Sequence, residues 1–248
     1  MKVIACYSMK GGVGKTATAV NLAYMAADSG LKTLLIDLDP QGASSFYFRV
    51  RPSAKKWAER FFKAYELLVK HIKASDFENL DIIPAHLGFR NFDSLLSGLK
   101  KRKGRLKAIL KGFKNDYDLI ILDCPPSISY LSEAIFKASD VVLVPVIPTT
   151  LSERTFEQLV EFFEENGYSK KTIIPFFSMV QAQKSLHTST MRAMSSRYPK
   201  FLATVIPYSS DIEKMGENTA PVAIFARTKP ANIAYQELWK EVEVVLEK

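Results

Sequence analysis

Apolar residues fall in short unbroken runs, separated by longer stretches in which they recur every three or four positions. The runs occupy residues 2–8, 33–38, 80–84, 118–123, 140–147, 172–178 and 202–207 and show little period-two alternation. Strands that are apolar on both faces belong to a sheet covered on both sides. Helical spacing covers about 15–28, 53–74, 104–115, 130–137, 152–165, 186–197 and 231–247. The alternation predicts an α/β fold, a single doubly wound and mostly parallel sheet flanked by helices. With no Ser/Gly-rich or Pro-rich linker and no internal repeat, residues 1–248 are expected to form one domain. The least regular part is 41–116.

Composition changes this picture little. Hydrophobic residues at 47% and charged residues at 24% exclude wholesale disorder and a fibrous repeat. The longest apolar run, Val141 to Ile147, is strand-sized and contains Pro145, so no stretch approaches the ~18 residues of a spanning helix. Met1 to Cys6 runs straight into a strand without a secretory pattern. Cys6 and Cys124 both lie in apolar runs, as small buried residues in a reducing cytosol would. A net charge of +8 favours an anionic partner. The run Lys100-Lys101-Arg102-Lys103-Gly104-Arg105 reads either as a solvated loop and helix start or as a patch for nucleic acid or an acidic partner.

Candidate chemistry begins at Met9-Lys10-Gly11-Gly12-Val13-Gly14-Lys15-Thr16, between the first strand and an Ala-rich helix. Glycines there let backbone N–H groups turn inward onto phosphate oxygens at the positive end of a helix. Lys15 supplies a charge for the β- and γ-phosphates and Thr16 a hydroxyl for Mg²⁺, as in a P-loop. The standard pattern is departed from at Met9, where its first glycine belongs, and at the extra lysine, Lys10.

Acidic residues end two further strands. Asp37 and Asp39, in Leu34-Leu35-Ile36-Asp37-Leu38-Asp39-Pro40-Gln41-Gly42, share one face of a strand and could address one metal–water cluster. Asp123, after Leu119-Ile120-Ile121-Leu122, is the Walker B arrangement, in which the carboxylate holds Mg²⁺ through water.

Together, Lys10 to Thr16, Asp37 to Gly42 and Asp123-Cys124-Pro125-Pro126-Ser127 resemble the ParA/MinD ATPases with a deviant Walker A motif, the ParA (Soj-like) branch in particular. Val205-Ile206-Pro207 and the tail from Pro230 to Val242 extend the likeness, and about 43–116 is poorly matched. The resemblance implies ATP and Mg²⁺ as cofactors and an ATP-dependent homodimer in which each Lys10 reaches the phosphates of the other copy. It assigns phosphate binding to the loop from Lys10 through Gly11, Gly12, Val13, Gly14, Lys15 and Thr16 to Ala17, and the metal shell to Thr16, Asp37, Asp39 and Asp123. Lys10, Lys15 and Asp39 are then the catalytic set, with Asp39 orienting the attacking water. Met179 and Pro207, at strand ends, are the candidates for adenine contact. Ala17 replaces a threonine that in most relatives touches the α-phosphate, a loss of about one hydrogen bond, ~1 kcal/mol, unless Thr18 or water replaces it. Missing cysteine ligands exclude a nitrogenase iron protein, and a tail with only Tyr235 excludes a bacterial tyrosine kinase.

ParA relatives bind DNA without sequence preference, whereas MinD relatives bind membranes through a C-terminal amphipathic helix. The tail Ile233 to Lys248 sets Ile233, Leu238, Trp239, Val242, Val245 and Leu246 at helical spacing, but its polar side is acidic, so it is expected to pack on the sheet rather than on a membrane. Lys184, Arg192, Arg197 and Lys200 form either a phosphate-contacting face or a solvated helix. Tyr208-Ser209-Ser210-Asp211 lacks the arginine that Soj-like proteins often use, and Lys214, Arg227 and Lys229 are the nearest substitutes. The N-terminus leaves no room for a helix-turn-helix, so operator recognition is not expected. The expected protein is cytoplasmic and nucleoid-associated. It binds DNA when loaded with ATP and is released when a ParB-like adaptor with a basic N-terminal peptide triggers hydrolysis, so distributing a plasmid, chromosome or protein cargo such as a carboxysome or chemoreceptor cluster. A MinD-like membrane regulator and a non-hydrolysing nucleotide-gated scaffold are the alternatives.

Overall fold

The first apolar run forms β1 (Lys2–Cys6), buried except at Lys2, and leads through the glycine loop into α1 (Lys15–Asp28). The computed structural model describes residues 1–52 and 57–247. After α1 come β2 (Thr33–Asp37) and the short α2 (Ala43–Tyr47), then a 3₁₀ turn at Ala58–Arg60, α3 (Tyr65–Val69), β3 (Lys73–Ala74) and β4 (Leu80–Ile83). Next are α4 (Phe92–Ser97), α5 (Arg102–Leu110), β5 (Leu119–Asp123), α6 (Tyr130–Ala138), β6 (Val141–Val146), α7 (Thr150–Glu165), β7 (Ile173–Val180), α8 (Ser185–Arg197) and β8 (Val205–Pro207). Three one-turn helices, α9 (Ser210–Glu213), α10 (Met215–Asn218) and α11 (Val222–Phe225), precede the long α12 (Pro230–Glu247).

Among the described residues the strands form one sheet in the order β3-β4-β2-β5-β1-β6-β7-β8, parallel throughout except where β3 pairs antiparallel with β4. The expected doubly wound sheet is present. Alternate residues of β1 supply opposite cores: Val3 and Ala5 pack with α6 and α7 on one face, Ile4 and Cys6 with α1 and α12 on the other. Burial on both faces is why the strands read as solid apolar runs. β2 does not lie beside β1; β5 sits between them, with Cys6 opposite Asp123 and Asp123 opposite Asp37. The end residues of three consecutive strands therefore stand level.

The helix expected over 53–74 is not formed in its described part, 57–74. Residues 53–56 lie outside the described part, and from Trp57 onward the chain makes the 3₁₀ turn, α3 and then edge strand β3. Trp57, Phe61 and Phe62 pack on Phe89 and Phe92, with Phe89 and Phe92 stacked at 4.2 Å. Their three- and four-residue spacing imitates a helical stripe, but burial of these rings on nearly every side bends the chain into an aromatic knot instead. The strand expected from 202 begins at Val205; Leu202 instead donates its N–H to the Pro175 carbonyl. α12 does pack on the sheet side, burying Ala231, Tyr235, Leu238, Trp239 and Val242 against α1 and β8. Ile233, assigned from spacing to its apolar face, is half exposed, and Tyr235 takes the buried position.

Candidate active site

The loop after β1 turns on two glycines in the left-handed region, Gly12 at φ 69° and Gly14 at φ 93°. Gly14 also passes close to β7, where a Cβ would stand 3.0 Å from Ser178 Oγ, so its conformation demands glycine and a side chain would crowd Ser178 as well. The loop delivers Lys15 to the first turn of α1, where the side chain is 7% exposed and its Nζ donates to the Lys10 carbonyl at 3.2 Å. Burial lowers the Lys15 pKa, and the neighbouring Asp123 works against that shift. Lys10 folds back along its own chain, its Nζ donating to Ser152 Oγ at 3.2 Å on the first turn of α7; Thr149 Oγ1 donates to the same hydroxyl at 3.1 Å. Thr18, the residue that could have replaced the hydroxyl missing at Ala17, is fully buried and donates to the Gly14 carbonyl at 2.8 Å. Its hydroxyl is thereby held inside the fold.

Asp37 and Asp123 are fully buried side by side at the ends of β2 and β5. Burial raises the pKa of both. Asp123 adds to the rise at Asp37, while hydrogen bonds from Ser44 and Thr16 oppose it at Asp123. The Ser44 hydroxyl donates to Asp123 Oδ2 at 2.6 Å, and the N–H and hydroxyl of Ser45 donate to Asp37 Oδ2 at 2.9 and 2.7 Å. The other oxygen of each carboxylate, Oδ1, is buried and has no hydrogen-bond partner among the described residues. Asp39, two residues beyond β2 and part-exposed, accepts the Gln41 N–H at Oδ1 at 3.0 Å.

These residues fit a hard divalent cation. Two carboxylates each keep one oxygen without a partner, and the Thr16 hydroxyl lies beside Asp123. Among the described residues no group of three His, Cys, Asp or Glu side chains could hold a metal by itself. Two carboxylate oxygens and a hydroxyl suit Mg²⁺, which takes one or two carboxylates and completes its octahedron with water and substrate phosphates.

Met179 and Pro207 fall on adjacent strand ends. Val180 pairs with Pro207 across a register shift, and Met179, at φ 54°, lies within that irregularity. Both sit at the sheet end that carries the glycine loop, toward the β7 side.

The basic candidates separate. Arg197 pairs with Glu157 of α7 and lies over the Tyr198 ring, and Lys200 Nζ donates to the Lys171 carbonyl at 2.7 Å. Lys184, Arg192 and Lys214 are exposed, with no side-chain hydrogen bond or ion pair among the described residues. On a helix of 3.6 residues per turn Arg192 and Arg197 diverge by ~140°, so they do not share a face. The run from Lys100 is largely used within the fold. Arg102 lies 4.2 Å over the Tyr130 ring, Lys103 pairs with Glu133 at 2.5 Å, and Arg105 donates to the carbonyls of Phe62 and Lys63.

Sequence reasoning missed Ser44, Ser45, Ser152 and Ser178. The only signal for the first two was their position one residue beyond Asp39-Pro40-Gln41-Gly42, after Ala43.

Residues 1–174 match the AAA domain family. The sporulation initiation inhibitor protein Soj of Bacillus subtilis is 31% identical over 253 residues, which cover 97% of this chain and 98% of that protein. The chromosome-partitioning ATPase Soj of Treponema pallidum is 27% identical over 97% of this chain and 96% of its own. Among solved structures, the ATP complex of a singly substituted Cyanothece McdA superposes with a TM-score of 0.81 at 23% identity, covering 100% of this chain and 96% of that one. A deviant glycine loop, two strand-end carboxylates brought level beside it, and near full-length similarity to Soj agree, and the chain belongs to the ParA/MinD family of P-loop ATPases.

Proposed function

We propose that the chain, working as a single ATPase domain, binds ATP with Mg²⁺ in the glycine loop and hydrolyses it, and that ATP brings two copies face to face. The observation that carries this reading is the convergence, at one end of the sheet, of the loop with Lys10 and Lys15 and the carboxylates Asp37, Asp39 and Asp123. The N–H groups from Lys10 to Ala17 and the Lys15 ammonium hold the phosphates. Thr16, Asp37, Asp39 and Asp123 serve the Mg²⁺ shell directly or through water, and when bound the ion neutralises charge that develops on the transferred phosphoryl group. Asp39, less constrained than the two buried carboxylates, orients the attacking water. Met179 and Pro207 border the adenine.

Lys10 acts across the dimer. Two triphosphates face to face carry excess negative charge, and an ammonium from each copy offsets it. Its bond to Ser152 is a resting contact within one chain, and reaching the partner requires releasing it. Lys184, Arg192 and Lys214 then meet DNA phosphates without reading sequence, and a ParB-like adaptor with a basic N-terminal peptide restores the free form by stimulating hydrolysis. The partition role named for Soj of Treponema pallidum supports a cargo-positioning cycle of this kind. α12 spends most of its apolar side on α1 and β8, which supports DNA rather than a membrane as the surface bound.

The test is a DNA mobility-shift assay with ADP, ATP and a slowly hydrolysed ATP analogue. Retardation with ATP and the analogue but not with ADP is expected. Nucleotide-independent retardation, or none, overturns the DNA reading, and ATP-dependent sedimentation with liposomes would replace it by a membrane one.

A further inference from the structure

The serines that open α2 have a role that none of the recognised motifs assigns. Ser44 is fully buried and Ser45 almost so. Neither caps its own helix, whose N-cap is Gly42 at φ 69° with no side-chain cap. Each spends its hydroxyl on a carboxylate from a strand end instead, Ser44 on Asp123 Oδ2 at 2.6 Å and Ser45 on Asp37 Oδ2 at 2.7 Å. Because one oxygen of each carboxylate is taken, the carboxyl plane is set and the remaining Oδ1 is left without a partner. Ser45 Oγ also accepts the Ala85 N–H at 2.9 Å, which ties the segment after β4 to the same point.

We infer that Ser44 and Ser45 are positioning residues. They orient Asp123 and Asp37 toward the metal by holding Oδ2 of each carboxylate. This rests on the proposed reading of the site as one for ATP with Mg²⁺. Partners that orient metal-shell carboxylates typically cost 10–100-fold in metal affinity when removed.

The probe is Mn²⁺, whose free signal is read by electron paramagnetic resonance in the presence of the full chain and a slowly hydrolysed ATP analogue. Ser44→Ala and Ser45→Ala should bind the analogue without metal to within about twofold of the unsubstituted chain, while Mn²⁺ affinity in the ternary complex falls roughly 10–100-fold. Folded alanine variants with unchanged Mn²⁺ affinity overturn the inference, as does an equal loss of metal-free nucleotide affinity, which would indicate collapse of the whole site. If an alanine variant does not fold, Ser45→Cys decides, because it keeps a side chain at the position but replaces a strong donor by a weak one. Weakened Mn²⁺ binding by Ser45→Cys supports the role and unchanged binding refutes it. Failure of the unsubstituted chain to take up Mn²⁺ with nucleotide would refute the reading of the site itself, and the serine role with it.

Discussion

Lys15 is a cation held almost entirely away from water, with the Lys10 carbonyl as its hydrogen-bond acceptor and Asp123 as a favourable charge. A buried ammonium of this kind is costly unless an anion is its intended partner. Lys15→Ala should therefore lower ATP affinity by about 10–100-fold, the equivalent of one charge-assisted contact, as read by fluorescence titration with a labelled nucleotide; unchanged affinity would remove Lys15 from the site. Lys10→Ala makes the opposite separation. Monomeric ATP binding should persist, while ATP-dependent dimerisation, followed by sedimentation velocity, and adaptor-stimulated turnover are lost, the latter by roughly 10³–10⁵ if Lys10 acts as a cation in trans. Asp39→Ala should bind ATP and hold an undissociated dimer, because the group that orients water is gone while the Asp37 and Asp123 pair stays intact; turnover at the normal rate would exclude Asp39. These residues were legible because glycines, lysines and strand-end aspartates in that order have few other uses. The serines that orient them were not, since a serine hydroxyl has no sequence pattern until the fold brings Asp37, Asp123 and α2 together.

Legibility at the level of elements follows how each element is buried. Strands covered on both faces announce themselves as apolar runs, and seven of the runs became strands in the described chain. β3 escaped notice because two residues on an edge carry no periodic signal, and the one-turn helices α9 to α11 are likewise too short to have one. The false helix over 53–74 shows the converse failure. Trp57, Phe61 and Tyr65 recur at four-residue spacing, yet aromatic packing with Phe89, Phe92 and Phe113 governs where they go. For α12 the acidic polar side pointed to the packing that the helix makes on α1 and β8, although not to which residue filled each buried position. Leu238, with no exposed surface, packs in the core shared by α1, β1 and α12. Leu238→Ala should cost about 2–5 kcal/mol, the usual range for emptying such a site, as a shift in the denaturant midpoint at constant slope. A cost under about 1 kcal/mol would mean that α12 detaches more readily than its packing implies.

Across the whole molecule, the excess of 34 Lys and Arg over 26 Asp and Glu matters through where the free cations stand. Arg102, Lys103 and Arg105 bind α6 or the 57–63 segment, and Arg197 and Lys200 hold α7 and the turn before β7, so these cations are already engaged within the fold. Lys184, Arg192 and Lys214 remain uncommitted on the surface. Each DNA phosphate neutralised by a protein cation steepens the salt dependence of binding by about 0.9 in the slope of log K against log salt. Replacing Lys184 and Arg192 together by alanine should therefore flatten the slope by about 1.8 per protomer for duplexes of any sequence. Arg197→Ala, which removes a cation already paired with Glu157, should leave the slope nearly unchanged. The measurement is a fluorescence-anisotropy titration of the ATP-bound protein on two unrelated duplexes over a salt series. If Arg197→Ala flattens the slope as much as the double replacement does, the pair with Glu157 opens on binding and α8 meets DNA along a different side. If neither variant alters the slope, the phosphate contacts lie elsewhere on the protein.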